Sequence, residues 1–397
     1  MRETPRVLLP VIIFSQFAGT SLWFAGNAVL EDLQRQWRLP AEALGYVTSS
    51  VQLGFIAGTL AFAFFAVSDR HSPRLVFFLC ALAGAAANAA ILAAGGSLAG
   101  LLALRFVTGF FLAGIYPVGM KIASGWFQRD LGNALGFLVG ALVAGTAFPH
   151  LLKGLGAALP WQEVLLAASG VAALGGLLML ALVPDGPHLA KGARFDPRAL
   201  AAIFRVRAFR ASSFGYFGHM WELYAFWAFV PWILAAHAAQ GAGGALNVPL
   251  WSFGVIAAGS LGCAAGGIAS LRLGSAPVAF AQLAASGLCC VLSPLAFHAP
   301  TPVFLGFLLF WGVVVVGDSP QFSALNAQSA PRERVGSALT IANCIGFGIT
   351  VFSIELLNAV SRSLAPHWLF LLLVPGPLFG LVSLLPLLQR ASPRTAA

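Results

Sequence analysis

The chain has 397 residues, of which 59% are hydrophobic and only 9% charged, and its formal net charge is +9. A soluble domain carries about a quarter charged residues, so a large soluble helical core is excluded. A nucleic-acid surface is excluded as well, because Lys and Arg are scattered between apolar runs instead of gathering with aromatics on one face.

A bilayer crossing takes about 20 mostly apolar residues, and apolar runs recur at that spacing from residue 7 to residue 388. The first run, 7–30, is too long and too polar for a signal-peptide core, and no small-residue cleavage site follows it, so it reads as a retained span. The following spans are expected at 41–65, 75–95, 98–122, 134–156 and 162–183, then at 212–237, 248–269, 275–297, 302–325, 337–359 and 366–388. Between the sixth and seventh lies the longest polar stretch, with Pro184, Gly186, Pro187, Pro197 and a basic run. It reads as a cytoplasmic linker, 184–211, that includes a short interfacial helix. The expectation is an all-α membrane protein of twelve transmembrane helices in two six-helix bundles, residues 1–183 and 212–397.

Charge orients the spans. With the N-terminus inside, seventeen of the 22 Lys and Arg residues fall on the cytoplasmic side, among them Arg70, Arg74, Lys121, Arg207, Arg210, Arg272 and Arg334. Arg35, Arg38 and Arg362 fall outside, and Arg105 and Lys153 lie within spans. Short basic loops stay cytoplasmic, which places both termini inside and favours an even number of crossings. All five cysteines (Cys80, Cys263, Cys289, Cys290, Cys344) fall in apolar segments without a Cys-x-x-Cys pair, so neither a disulfide framework nor a metal site is expected.

An internal repeat supports the division. Arg129-Asp130-Leu131-Gly132-Asn133-Ala134-Leu135 parallels Glu333-Arg334-Val335-Gly336-Ser337-Ala338-Leu339, with the glycines 204 positions apart. Gly114-Ile115-Tyr116-Pro117 parallels Gly317-Asp318-Ser319-Pro320 at an offset of 203. Related halves around a central cavity suit a secondary transporter, in which one half rocks against the other.

On these residues the chain resembles the major facilitator superfamily. After span two, Ser68-Asp69-Arg70-His71-Ser72-Pro73-Arg74 carries the family's Asp-Arg pair and basic end, although Phe65 and Ser72 stand where the pattern has glycine. The matching loop of the second half keeps little beyond Gly266, Arg272 and Gly274. Span four, from Arg105 through Gly109 and Gly114 to Tyr116-Pro117, is similar to the family's Arg-and-glycine helix. Span five, with Gly136, Gly140, Gly145 and Pro149, is similar to its gating helix. Within the family, Gly218 to Tyr224 and Gly317 to Ser323 look like a bacterial group filed near nitrate/nitrite or cyanate carriers. The asparagine- and glycine-rich signature of nitrate carriers is missing from spans five and eleven, so nitrate is not inherited as cargo. The resemblance implies a bacterial inner membrane protein.

A charged side chain at the bilayer centre costs about 2.5–3.5 kcal/mol on insertion scales, so each one needs a reason. Glu222 lies mid-span in span seven with His219 one turn earlier on the same face. Proton coupling or solute contact is preferred there to a fixed Glu–His brace. Asp318, with Gln321 a turn away and Pro320 between, reads either as a second protonation site or, by preference, as a cap on broken backbone near the inner gate. Arg105 either draws an anion or acts on a carboxylate across the cavity, or else bonds carbonyls of span one or two. Gln16, Thr20, Trp23 and Asn27 line one side of span one, and Tyr116, His150, Tyr224 and Gln321 complete the candidate pathway, His150 being equally a structural histidine. Asp69, Arg70 and Arg74 are candidates for the inner gate. Lys153 and Glu355 hold matching outer positions, where snorkelling is preferred to a salt bridge.

The function expected is a proton-linked carrier whose solute binds between spans one, four, seven and ten. A small organic or inorganic anion is slightly favoured, and a broad drug/proton efflux antiporter is the alternative. A membrane sensor lacks a signalling domain in these short loops. No Gly-x-Ser-x-Gly, Walker loop or His-Glu-x-x-His is present, so no enzyme is expected, and no cofactor. The expected partners are the solute, protons and membrane lipids, for a monomeric chain.

Overall fold

The computed structural model describes residues 7–127, 131–155, 159–189, 196, 202–240, 246–331 and 334–391, and among them there is no β-strand. In the N-terminal half the helices are α1 (Leu8–Thr20), α2 (Ala25–Ala28), α3 (Leu30–Trp37), α4 (Ala43–Phe64), α5 (Val67–Arg70), α6 (Pro73–Ala89), α7 (Leu98–Leu112), α8 (Tyr116–Trp126), α9 (Leu131–Leu155) and α10 (Trp161–Leu182). The C-terminal half holds α11 (Arg207–Ala238), α12 (Val248–Leu273), α13 (Ser275–Phe297), α14 (Thr301–Gly317), α15 (Ser319–Ser329), α16 (Val335–Val360) and α17 (Pro375–Ala391), the last preceded by a 3-10 segment, Pro366–Leu373.

Ten helical stretches among the described residues are long and apolar enough to cross a membrane, from Ala43–Phe64 to Pro366–Gln389. Most run 21 to 26 residues; at 1.5 Å per residue that exceeds a hydrocarbon core of about 30 Å. The chain is therefore an all-α, membrane-spanning protein. Two expected spans fall outside the ten. The first is interrupted between Thr20 and Ala25. The seventh is the 32-residue α11, diluted by Arg207, Arg210, His219, Glu222 and several tyrosines and serines.

Two further interruptions share one design. The helix that begins at Leu98 breaks over Ala113–Ile115 and restarts as α8, with Pro117 in its first turn. The helix that begins at Thr301 breaks at Asp318 and restarts as α15, with Pro320 in its first turn. Proline lacks the N–H that would continue the upstream ladder, yet fits a new first turn.

Glycines set how closely neighbours approach. A Cβ at Gly109 would collide with the carbonyl oxygen of Val51, and one at Gly54 with that of Phe106, so α4 and α7 pack backbone to backbone. In the second half Gly312 meets Val255 and Gly262 meets Val313 in the same manner, joining α12 and α14. Between the halves, α9 packs along α12 and α4 along α16.

The loops sort onto two faces. Lys121 reaches Ser68 and Asp69, Ser72 reaches Asp185, and Trp126 reaches Pro184, which gathers one basic face. On the far face Lys153 meets Asp32, Trp161 bonds Gln36, Asn247 bonds Gly154, and Arg362 meets Glu42.

Candidate functional site

The break in the first span leaves carbonyls that a continuous helix would have used, and in hydrocarbon such groups need partners. Arg105 of α7 supplies them. Its Nη1 donates to Leu22 O at 3.0 Å and to Asn88 Oδ1 at 3.3 Å, and its Nη2 donates to Trp23 O. Asn88 is itself fixed, donating Nδ2 to Ser169 Oγ at 3.0 Å and to Leu165 O at 3.2 Å. Arg105 has no exposed surface. Of its two readings, the carbonyl-bonding one is realised in this conformation, because the nearest acceptors to a buried guanidinium are the freed carbonyls.

That anchoring sets Trp23 at the centre of an aromatic cluster shared by the two halves. Its ring lies 4.9 Å from Phe55 of α4, 5.7 Å from Tyr224 of α11 and 5.7 Å from Phe347 of α16, the last stacked. Phe55 and Phe347 approach to 4.4 Å, and Trp227 lies 5.3 Å from Tyr224. Trp23 Nε1 donates to Gln52 Oε1 at 3.0 Å, and Gln52 Nε2 donates to Thr350 Oγ1 at 3.0 Å. Asn27 donates to Thr48 Oγ1 at 2.7 Å. Several buried polar atoms lack a hydrogen-bond partner: both ends of the Gln16 amide, Asn27 Oδ1, His150 Nε2, Thr146 Oγ1 and Trp227 Nε1. Leaving such atoms dry is costly, so they are available to a polar occupant. Thr20 instead bonds its own helix at Gln16 O, 2.8 Å away.

Two carboxylates of the C-terminal half, Glu222 and Asp318, are essentially sealed from the surface. Glu222 Oε1 accepts from Trp311 Nε1 at 2.8 Å, from Cys290 Sγ at 3.3 Å and from Ser286 Oγ. Asp318 Oδ1 lies 2.9 Å from His219 Nδ1, an ion pair when the histidine is protonated. This corrects the Glu222–His219 pairing expected from their spacing. The imidazole turns to a carboxylate on the neighbouring helix break, between Tyr216 and Phe322, while Glu222 finds its donors on α13 and α14. It also corrects the capping role of Asp318, whose side chain caps no helix. Gln321 is buried on the turn that follows.

On the basic face Asp69 pairs with Lys121, whose Nζ also donates to Ser68 O at 2.7 Å. Arg74 donates to Leu180 O at 3.3 Å, Arg70 is exposed, and Tyr116 is half-buried at the start of α8. On the far face Glu355 Oε1 accepts from Ser49 Oγ at 2.5 Å, Asn358 Nδ2 donates to Glu42 O at 3.0 Å, and Arg362 pairs with Glu42. Lys153 takes Asp32 at 2.5 Å instead. The Lys153–Glu355 bridge weighed from the sequence is thus absent, since each residue has a nearer partner on another element.

The sequence named Trp23 and Tyr224 for the pathway, which the structure brings together, and Glu222 and Asp318 for the proton, which it sets apart from that cluster. It missed Gln52, Thr350, Ser286 and Trp311, and the pairings of Lys121 and Arg362. Gln52 and Thr350 are polar residues in mid-span and were findable on that ground. Phe55 and Phe347 carried no signal among 33 phenylalanines.

A sequence profile of the Major Facilitator Superfamily matches residues 9–354. Over 162 residues the chain is 25% identical to a D-galactonate transporter of Escherichia coli O6:H1 (strain CFT073), a match that spans 40% of this chain and only 37% of that protein. The fold is similar to that of the human organic anion transporter MFSD10, with a TM-score of 0.68, 17% identity and coverage of 96% of this chain and 100% of that one. It is also similar to the proton:xylose symporter XylE bound to 6-bromo-6-deoxy-D-glucose, with a TM-score of 0.74, 13% identity and coverage of 98% and 97%.

Proposed function

Since this chain belongs to the major facilitator superfamily, we propose that it is a proton-coupled carrier of a small polar organic solute in a bacterial inner membrane. Membership makes it a multi-pass membrane transporter of a small solute and not an enzyme. The finer architecture is twelve spans in two six-helix bundles, residues 1–183 and 212–397, tethered by 184–211, with both termini cytoplasmic. Span one is interrupted where it meets the pathway, and α11 is weakly hydropathic because it turns Tyr224 to the pathway and holds Glu222 and His219 against the other helices of its half. The chain works as a monomer.

One observation carries the coupling. Glu222 and Asp318 are sealed carboxylates at membrane depth, and among the described residues no Lys or Arg bonds to either. Such groups exchange a proton when the surrounding wall is wetted first from one side and then from the other. Asp318 with His219 forms one exchanging site and Glu222 the other. The bonds that join the halves at Ser49–Glu355, Gln52–Thr350, Asn247–Gly154 and Glu42–Arg362 close the far face, and the placement of the basic loops on the opposite face supports reading it as the outer one. Asp69, Arg70 and Arg74, with Lys121, form the inner gate.

The solute lies against Trp23, Tyr224, Trp227 and Phe347, with Gln16, Asn27 and His150 supplying hydrogen bonds. Arg105 is committed to backbone, so it adds no free charge for an anion in this conformation. Rings flanked by amides and hydroxyls suit a polyhydroxylated molecule, and the relatives named for D-galactonate and xylose supply the first compounds to try. Five clustered aromatic rings also suit the second reading, efflux of apolar compounds. The likeness of Gly218–Tyr224 and Gly317–Ser323 to the nitrate/nitrite or cyanate group remains a proposal about branch and contributes no cargo. The test is uptake into proteoliposomes under an imposed pH gradient, with labelled sugar acids, sugars and hydrophobic dyes. Gradient-driven movement of a sugar acid or sugar is the expected result. Movement of the dyes alone would favour efflux, and no gradient dependence for any compound would contradict coupling.

A further inference from the structure

Glu222 does not face the aromatic cluster with its carboxylate. All three of its donors, Ser286, Cys290 and Trp311, belong to helices of the C-terminal half. Around it the other titratable groups are Cys289 on α13, Asp318 at the α14–α15 break and His219 on its own helix. A proton arriving through the solute pathway would have to pass α11 to reach it.

Another line of polar groups leads away from Glu222 toward the outer face. Ser286, Cys290 and Ser293 recur at i, i+4 and i+7 on α13, so they share one stripe of that helix, and all three are buried. Ser293 opens onto a cavity of about 10 Å³, whose remaining wall includes Trp311, His367, Phe297, Phe304 and Phe370. That volume holds about one water. Trp311 spans the gap, lining the cavity and donating to both Glu222 and Ser286. In the cavity wall, His367 stands with its ring centroid 4.7 Å from that of the exposed His298.

We propose that the coupling proton reaches Glu222 from the outer face inside the C-terminal half, through His298 and His367, one water at Ser293, and the Ser293–Cys290–Ser286 stripe. The route is separate from the path of the solute. A histidine pair is suited to the mouth of such a route because an imidazole can accept a proton on one ring nitrogen and donate from the other. The surrounding phenylalanines keep the passage one water wide. Cys290 and Ser286 each donate directly to Glu222, whereas the Ser293 hydroxyl donates to Cys290 O at 2.8 Å and has to turn to the Cys290 thiol to pass a proton on. Each group gives up one proton as it takes another, so there is no net change until the proton rests on the Glu222 carboxylate. This inference rests on Glu222 being a proton site, as proposed above.

The experiment follows the proton itself. Full-length protein in liposomes is subjected to a rapid external acid jump, and the carbonyl stretch of the protonated carboxyl is recorded by infrared difference spectroscopy. The band belonging to Glu222 is the one lost in Glu222→Gln. In Ser293→Ala and in His367→Phe that band is expected at its full equilibrium amplitude, which shows an intact fold, but rising at least about tenfold more slowly; His367→Gln serves as a second, polar replacement. Locking the outer mouth with a Gly45→Cys/Asn358→Cys disulfide is expected to leave the wild-type rate unchanged. Unaltered rates in the Ser293 and His367 variants, or a rate that collapses on locking, would overturn the separate route. Absence of any Glu222 band in the wild type would instead overturn the reading of Glu222 as a proton site, and this inference with it.

Discussion

Arg105 illustrates how one charged side chain is kept in hydrocarbon. A hydrogen bond to a charged group contributes about 1.5–3 kcal/mol, and this guanidinium makes three, to Leu22, Trp23 and Asn88. Lysine carries the same charge as a point and lacks the planar fork that bridges two carbonyls. Arg105→Lys is therefore expected to lower the thermal midpoint of the detergent-purified protein and cost about 3 kcal/mol, and Arg105→Ala more. An unchanged midpoint in Arg105→Lys would contradict the anchoring role. At this scale the depth of Glu222, Asp318 and Arg105 was legible in the sequence, because a charge inside an apolar run stands out. Their partners were not. Helical spacing relates His219 to Glu222 three residues on, but it carries no information about Asp318, which only the packing of another helix brings to 2.9 Å.

Close helix pairs make a prediction of opposite sign at different glycines. Replacing glycine by alanine inside a helix gains about 1 kcal/mol of propensity. At Gly170, where nothing lies within 4 Å, that gain is unopposed, so Gly170→Ala should unfold at the wild-type temperature or slightly above. At Gly109 and Gly312 the new methyl meets the backbone oxygens of Val51 and Val255, which cannot rotate away, and overpacking typically costs about 1–3 kcal/mol. Gly109→Ala and Gly312→Ala should both unfold at lower temperature; equal stability of all three variants would refute the backbone-to-backbone account. Element positions were well legible: the expected 275–297 is Ser275–Phe297, and 337–359 is Val335–Val360. The breaks were less so. Pro320 announced one, but the expected continuous 98–122 hides the interruption before Tyr116, because an apolar run looks the same to a hydropathy reading whether or not its backbone is continuous.

For the molecule as a whole, the charge pattern proposes an orientation and the repeat proposes a division, while the contacts that join the halves on the far face had no sequence signal. Glu42 and Arg362 are ordinary loop charges until the fold brings them together. A Cβ built at Gly45 lies 2.8 Å from that of Asn358, and a disulfide needs about 3.5–4.5 Å between Cβ atoms, so a small separation suffices. Gly45→Cys/Asn358→Cys is expected to cross-link under oxidation and to stop transport until reduced; cross-linking without loss of transport would show that this face does not have to open.

The most direct test of proton coupling compares net flux with exchange in Glu222→Gln, using the solute that the uptake screen identifies. With the carboxylate unable to exchange a proton, pH-gradient-driven accumulation should vanish, while one-for-one exchange of labelled for unlabelled solute across the same liposomes continues. Accumulation at the wild-type level in Glu222→Gln would contradict the account.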